Sequence, residues 1–261
     1  MSNSITKAKP VVHETDDKKE WFETWFDSPY YHILYKDRDH KEAELFLDHL
    51  ITFLAPKPKS RILDVACGKG RHSIYLNKKG FKVTGYDLSE ESISYDKQFE
   101  NDGLEFYLHD MRETFRSNYY DFVINLFSSF GYFEKERDNV RCLISHATAL
   151  KPDGIFVFDY FNCSKIVLSG EMQMEKEIDG IKFQIKKSIT GNIVHKIIEF
   201  SDKGEDYHFE ERVMLLNKEI LMRFFDIAGL EIIRTFGNYD LQPFEENTSE
   251  RLILIAKKLS K

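Results

Sequence analysis

Two hydrophobic patterns alternate between residues 61 and 161. Short apolar runs predict strands, and the segments between them carry apolar residues three and four positions apart, which predicts helices. The predicted strands are RILDVA (61–66), FKVTGYD (81–87), LEFYLHD (104–110), YDFVINLF (120–127) and IFVFDYF (155–161), the last preceded by a KPDG turn (151–154). Strands that alternate with helices predict an α/β fold with a parallel, doubly wound sheet and right-handed crossovers.

After residue 165 the apolar positions follow a different period. Runs that alternate apolar with polar residues are separated by Asp179-Gly180 and Gly191-Asn192, which are signals for tight turns. This pattern predicts a meander of about four antiparallel strands over 165–216, polar on one face. Asn217 then predicts the start of a helix and Gly229 its end. Two closing strands are predicted, EIIRTFG (231–237) and RLILIAKK (251–258).

The first 58 residues contain a polar stretch, an aromatic segment and a helix. The polar stretch predicts a flexible tail, whereas residues 21–38 carry too much aromatic surface for a free tail. The apolar stripe from Ala43 to Leu54 predicts a helix that begins with a capping box at Asp39 and Glu42. We therefore divide the chain into a tail (1–20), an aromatic segment with a helix (21–58), a main domain (59–164 and 217–261) and an antiparallel β insertion (165–216).

Composition and charge exclude several classes of partner. The chain has 37 basic and 44 acidic residues, a net charge of −7, which disfavours binding to nucleic acid. Its cysteines, Cys67, Cys142 and Cys163, are far apart and predict no disulfide framework. No signal peptide is evident and no apolar run approaches the ~20 residues that a bilayer requires. We expect a cytoplasmic protein that uses neither a membrane nor a metal.

The candidate chemistry lies at the predicted ends of the first three strands. LDVACGKGRHS (63–73) joins a strand to a helix, and its glycines allow a ligand to approach the backbone at a helix N-terminus. Asp87, 17 residues after Gly70, is placed to accept hydrogen bonds from two ribose hydroxyls. Asp110, in HDM (109–111), is placed to accept one from an adenine amino group. Open α/β sheets bind ligands at this edge, so the three elements predict a nucleoside site.

Two other functions compete with this interpretation. An NAD-dependent oxidoreductase needs the loop GxGxxG, but Ser73 stands at the third glycine position. A nucleoside-binding protein without catalytic activity uses the same three elements. The sequence has no GxxxxGK[ST] phosphate loop, no HExxH metal motif and no GxSxG nucleophile motif.

The same motifs resemble those of the class I S-adenosylmethionine-dependent methyltransferases. The resemblance covers about residues 61–161 and 219–258, through LDVACGKGRHS, GYDLS, HDM and DFVINLF followed by SSFGYF. It implies a seven-stranded Rossmann-like sheet with an antiparallel last hairpin. It also implies S-adenosylmethionine as cofactor and S-adenosylhomocysteine as product. Ala66 replaces the usual first glycine of the loop. NLFSS after the fourth strand replaces NPPY, so the class that methylates exocyclic amino groups of nucleobases is disfavoured.

The resemblance assigns parts of the cofactor to parts of the chain. It implies that the methionine part lies over the 66–70 loop, the ribose at Asp87, the adenine at Asp110 and Met111, and the sulfonium beside Leu126 and Phe127. The aromatic segment is expected to act as a lid in which Arg38 pairs with the cofactor carboxylate; the alternative is a strap over the back of the sheet. The expected cofactor-binding residues are Tyr31, Arg38, Asp64, Ala66, Cys67, Gly68, Gly70, Arg71, Asp87, Leu88, Ser89, Asp110, Met111, Arg112, Leu126 and Phe127.

The acceptor is expected to be a small molecule. In-line methyl transfer is accelerated largely by holding donor and acceptor at near-attack distance, so no dedicated catalytic group is required. If the acceptor must lose a proton, the candidate residues are Tyr132, His109, Tyr160 and His208. Insertions of this kind cover the acceptor site in the family, so the segment 165–216 is expected to form a wall of the pocket. The alternative is a dimerisation sheet, which makes the protein a homodimer.

Overall fold

A seven-stranded mixed sheet organises the fold, and the computed structural model describes residues 20–36 and 40–260. The strands are β1 (Arg61–Val65), β2 (Lys82–Asp87), β3 (Leu104–Leu108), β4 (Tyr120–Asn125), β5 (Leu150–Phe161), β10 (Leu230–Phe236) and β11 (Arg251–Lys258). The strand order is β10-β11-β5-β4-β1-β2-β3. Strands β1 to β5 run parallel, whereas β11 is antiparallel to both β5 and β10. The predicted α/β sheet with an antiparallel last hairpin is confirmed.

Helices cover both faces of this sheet, which is why its strands are apolar without alternation. The helices are α3 (His40–Leu54), α4 (Arg71–Lys78), α5 (Glu90–Asp96), α6 (Glu136–Ala149) and α8 (Lys218–Ile227), with a short 3₁₀ turn at Lys97–Phe99. Leu63, Val123 and Phe156 pack on one face with α6 and α8. Ile62 and Ile124 pack on the other face with α3 and α4. Within the described ranges, no helix combines the length and apolar character that a membrane crossing requires.

The insertion is a second sheet of four antiparallel strands in the order β6-β7-β8-β9. Its strands are β6 (Met172–Ile178), β7 (Ile181–Thr190), β8 (Ile193–Asp202) and β9 (Glu205–Met214). The turn between β6 and β7 has positive φ at Asp179 (52°) and Gly180 (80°), as a two-residue hairpin requires. The predicted meander is confirmed, and so is the cap at Asn217, whose side chain accepts from the Ile220 amide.

Local structure differs from the prediction at two places. The KPDG segment lies inside β5, because the strand begins at Leu150 and bulges there: Tyr120 faces Leu150, but Phe122 already faces Ile155. A short helix, α7 (Cys163–Ser169), overlaps the start of the predicted insertion, before its first strand, and was not predicted. It is capped by Asn162, whose side chain accepts from the Ser164 amide at 3.2 Å. A seven-residue helix is too short to give a clear apolar period.

The aromatic segment forms two short helices, α1 (Trp21–Trp25) and α2 (Pro29–Leu34). Trp25 and Leu34 are buried against the insertion sheet. The alternative of a strap over the back of the sheet is therefore wrong, because this apolar surface packs on β7 and β8. Residues 1–19 of the expected tail and Asp39 of the expected capping box lie outside the described residues. The four-part division of the chain stays a prediction.

Candidate functional site

A cavity of about 400 Å³ lies at the carboxyl ends of β1 to β4. Parallel strands end at one edge of a sheet, so the loops that follow β1, β2, β3 and β4 meet there. Part of the lining comes from α1 and α2. We call this space the larger cavity. The predicted residues that line it are Tyr31, Ala66, Cys67, Gly68, Arg71, Asp87, Leu88, Ser89, Asp110, Met111, Leu126 and Phe127.

The loop after β1 forms the floor of the larger cavity with its backbone. Ala66 has φ of 54° and Gly68 has φ of 55°, in a backbone region that residues other than glycine rarely adopt. A Cβ atom built on Gly68 meets no atom within 4 Å, so the space above this residue is open. The Gly68 amide donates to Asp87 at 2.8 Å, which fixes the loop to the end of β2.

Asp87 is held by backbone amides through both of its oxygens. Oδ2 accepts from Gly68 at 2.8 Å and Oδ1 accepts from Ser89 at 2.9 Å. Burial raises the pKa of Asp87, and these backbone hydrogen bonds oppose the rise. A carboxylate has about four acceptor positions. Asp87 therefore keeps capacity to accept from a ligand in the larger cavity.

Asp110 and Arg112 form a tight pair at the end of β3. The Arg112 Nε and Nη2 donate to the Asp110 carboxylate at 2.9 and 2.6 Å, and Nη1 donates to Glu20 at 2.8 Å. Burial alone raises the pKa of Asp110, but the hydrogen bonds from Arg112 outweigh it and hold that pKa below its usual value. Arg112 thus positions Asp110 and does not line the larger cavity, so its predicted direct contact with the ligand is not supported.

Asp64 and Gly70 support the loop from beneath and do not line the larger cavity. Asp64 is buried and accepts from Ser73 Oγ at 2.6 Å, and burial raises the pKa of Asp64 to about 7. A Cβ atom on Gly70 would lie 2.8 Å from the Phe106 ring, so this glycine is required for packing. The expected direct roles of Asp64 and Gly70 are corrected accordingly. Arg38 lies outside the described residues, so its expected pairing stays a prediction.

The turn after β4 projects an aromatic ring between two basic side chains. Phe127 and Ser128 have φ of 57° and 62°, and the Phe127 amide donates to the buried Asp159 at 2.7 Å. The Arg71 guanidinium lies 4.4 Å from the centroid of the Phe127 ring, and His72 stacks on the same ring at 5.1 Å. This arrangement fixes Phe127 at the wall of the larger cavity.

Asp27, a residue that the sequence analysis missed, ties the aromatic segment to the loop after β2. Its Oδ1 accepts from Ser89 Oγ at 2.7 Å and from the Glu91 amide at 3.0 Å. Aromatic side chains of this segment close the larger cavity on the same side. They are Phe22, Phe26, Tyr31, His32 and Tyr35. The segment therefore contacts both the cavity and the insertion.

A second space of about 280 Å³, the smaller cavity, adjoins the insertion. It is lined in part by residues that no motif indicated: Lys187, Lys196, Glu211 and Arg251. The two cavities share five lining residues, which we call the shared wall. These are Phe26, Tyr31, Phe127, Ser129 and Tyr132.

The structure separates the candidate proton acceptors into two groups. Tyr132 belongs to the shared wall and donates to the Ser128 carbonyl at 3.0 Å, and His109 lines the larger cavity. Tyr160 is fully buried, and its hydroxyl donates a hydrogen bond to the Met214 carbonyl. Burial raises the pKa of Tyr160, so its hydroxyl stays protonated and cannot accept a proton from a ligand. His208 lies on the outer face of β9 and lines neither cavity. The expected catalytic roles of Tyr160 and His208 are not supported.

Comparisons with known proteins agree with this geometry. Residues 56–229 match a family model described as a methyltransferase domain. YqeM of Bacillus subtilis (strain 168), named for methyltransferase activity, is 32% identical over 215 residues, 77% of this chain and 85% of that protein. A glycine/sarcosine N-methyltransferase of Aphanothece halophytica is 29% identical over 85% of this chain and 83% of that protein. The crystal structure of an S-adenosylmethionine-dependent methyltransferase from Clostridium acetobutylicum ATCC 824 has the same fold, with a TM-score of 0.75 at 20% identity over 88% of this chain and 96% of that one.

Proposed function

The chain belongs to the class I S-adenosylmethionine-dependent methyltransferases, and on that premise we propose that it methylates a small molecule held in the smaller cavity. The observation that carries the proposal is the shared wall. A ligand in the larger cavity and a ligand in the smaller cavity contact the same five residues and therefore lie next to each other there. Such an arrangement brings donor and acceptor within reach without a covalent enzyme intermediate.

The larger cavity fits the cofactor in its chemistry. S-adenosylmethionine supplies an electrophilic methyl group on a positively charged sulfur. The open space above Gly68 would accommodate the methionine part, and Asp87 would accept hydrogen bonds from the ribose hydroxyls. Asp110 and Met111 would border the adenine. These assignments rest on the lining of the larger cavity and on the motifs that carry the resemblance.

The shared wall supplies orientation. The rings of Phe127, Tyr31 and Tyr132 present faces that attract a cation. Fixed rings also exclude water from the path between the two cavities. Phe127 is fixed by its backbone bond to Asp159 and by Arg71 and His72 on its ring. The protein therefore contributes chiefly alignment, and none of these groups needs to form a bond with the acceptor.

An amine nitrogen is the proposed methyl acceptor. The support is the relative from Aphanothece halophytica, which is named for N-methylation of glycine and sarcosine. Membership in the family favours methyl transfer over the NAD-dependent and non-catalytic alternatives. The insertion contributes Lys187, Val194 and Lys196 to the smaller cavity, which supports its proposed role as a pocket wall rather than a dimerisation sheet.

Two measurements on the purified protein test this function. Calorimetric titration is expected to give saturable binding of S-adenosylmethionine and S-adenosylhomocysteine and none of NAD. Mass spectrometry is then expected to detect S-adenosylhomocysteine and a methylated product with at least one small amine. Binding of NAD in place of S-adenosylmethionine, or cofactor binding without product across an amine panel, would contradict the proposal.

A further inference from the structure

The face of the insertion sheet that packs on α1 and α2, its inner face, carries a row of three charged residues. Lys187 on β7 faces Lys196 on β8, which faces Glu211 on β9. Apolar rows flank this charged row on both sides. One flanking row is Ile185, Ile198 and Phe209, and the other is Ile189, Val194 and Val213. All three charged residues line the smaller cavity.

Glu211 and Lys196 balance one another. Trp25 Nε1 and the Tyr35 hydroxyl donate to Glu211 Oε1 at 2.8 and 2.6 Å, and Lys196 lies 3.5 Å from Oε2. Lys196 also donates to the Tyr35 hydroxyl. This part of the row is therefore a satisfied network that fixes α1 and Tyr35 to the insertion sheet.

Arg251, the other cation of the smaller cavity, is also balanced. Its Nε donates to Asp159 Oδ1 at 2.8 Å and its Nη2 donates to Ser128 at 2.9 Å. Asp159 is fully buried and also accepts a hydrogen bond from the Phe127 amide. The pair is therefore a neutral element that supports the turn after β4.

Lys187 has no such counterpart. Within residues 20–36 and 40–260, no hydrogen bond or ion pair joins its ammonium to another group. Several other lysines of these ranges, by contrast, have carboxylate partners at 4.0 Å or less. Burial lowers the pKa of Lys187, and the charge of Lys196 lowers it further. Like charges directly opposite each other destabilise a sheet. A half-buried cation kept at such a position needs an anion that the described chain does not supply.

We propose that Lys187 binds a carboxylate of the methyl acceptor, an inference that rests on the proposed function and specifies its substrate class. The smaller cavity has one uncompensated positive charge among apolar side chains such as Val194 and Val213, which suits a monoanion rather than a phosphate dianion. Lys187 lines only the smaller cavity, whereas the shared wall borders both cavities. The carboxylate is thus held apart from the wall at which the acceptor nitrogen meets the methyl group.

A fragment titration tests the inference without knowledge of the acceptor. Acetate and acetamide have the same size and differ in charge, and Trp21 in the lining of the smaller cavity reports binding by fluorescence. With protein saturated by S-adenosylhomocysteine, we expect acetate to bind and acetamide to bind far more weakly. Lys187→Met is expected to weaken acetate binding roughly 10- to 150-fold, the loss of one charge-assisted hydrogen bond. Lys187→Arg is expected to retain most of it.

Lys186→Met is the matched control, because Lys186 is the adjacent residue on the outer face of β7 and lines neither cavity. Circular dichroism checks that each variant is folded. Equal binding of acetate and acetamide, an unchanged acetate affinity in Lys187→Met, or tighter binding of inorganic phosphate than of acetate would each overturn the inference. These outcomes leave cofactor binding and methyl transfer intact, so they are distinguishable from failure of the proposed function.

Discussion

The two cavities are built from different parts of the chain. The floor of the larger cavity is formed by the backbone of the loop after β1, where Ala66 and Gly68 have positive φ, and the neighbouring Asp87 is fixed by amides. The smaller cavity is formed by side chains that project from the strands of the insertion, among them Lys187 and Glu211. A backbone site depends on a few residue types at fixed spacing. A site built from side chains on strands is altered by single substitutions that leave the fold intact. We therefore expect the acceptor site to vary more than the cofactor site.

The largest effect is expected when a side chain is added to the floor of the larger cavity. Gly68→Val introduces a β-branched residue at φ of 55° and fills the open space above the loop. We expect cofactor affinity to fall roughly 100-fold or more, by strain and occlusion together. Calorimetric titration with S-adenosylhomocysteine measures it. Gly180→Val, in the β6–β7 turn at φ of 80°, carries comparable strain and should leave this affinity unchanged; a similar loss in both variants would assign the effect to stability.

The second prediction concerns the carboxylate at the end of β2. Asp87→Ala removes the acceptor for the ribose and the anchor of the Gly68 amide, so cofactor affinity is expected to fall roughly 10- to 150-fold. Asp121→Ala is the control, because Asp121 also accepts a backbone amide, that of Arg61, and lines neither cavity. A loss below threefold in Asp87→Ala would reduce its role to holding the Ser89 amide.

The third prediction asks whether the shared wall joins the cavities. Phe26 lines both of them, so Phe26→Ala is expected to weaken binding of S-adenosylhomocysteine and of the amine acceptor found in the product assay alike, each by roughly 5- to 30-fold. Phe53→Ala removes an exposed ring of α3 that lines neither cavity, and it should change neither affinity. An effect on only one ligand would mean that the cavities are separate at this point.

The fourth prediction uses the acidic residues below the larger cavity. Burial, and then the charges of Asp87 and Asp64, raise the pKa of Asp96 to about 8. The folded protein therefore keeps a proton that the unfolded chain releases near its ordinary pKa of about 3.9, so the free energy of unfolding falls as pH rises between these values, by at most about 1.4 kcal/mol per pH unit. Asp96→Asn should reduce that slope in urea unfolding between about pH 5 and pH 8. An unchanged slope would contradict the assignment.

The smallest effect is expected in the smaller cavity. Lys187→Met removes a like-charge neighbour of Lys196, so the free energy of unfolding should rise by about 0.2–1 kcal/mol. Urea unfolding without ligand measures it, and Lys186→Met, which loses a surface ion pair with Glu199, should be neutral or slightly destabilised. Destabilisation by Lys187→Met would show that the ammonium has a structural role.

The fold could be predicted from the sequence because most of its strands are either largely apolar or alternate apolar with polar residues. The positions of Gly68 and Asp87 beside the larger cavity could be predicted because strand order places them at one edge. Other assignments need the third dimension: Gly70 faces Phe106, and Tyr160 faces the core. The charged row is visible only when three strands are aligned, because Lys187, Lys196 and Glu211 are distant in sequence. Its signal in the sequence was a charged residue between apolar residues on one face of each of these three strands.

The packing of the aromatic segment on the insertion has a consequence for protein engineering. Trp25 and Leu34 share a core with β7 and β8, and Trp25 also donates to Glu211 in the charged row. If the insertion of a relative were transferred to this chain to change acceptor preference, it would pack against an aromatic segment of different sequence, and the shared core would be lost. Residues 21–36 and 172–214 should therefore be exchanged together, although 135 residues of the host fold separate them in the chain. A chimera that transfers both, and keeps Phe22 and Asp27 for their contacts with the main domain, is the one expected to fold.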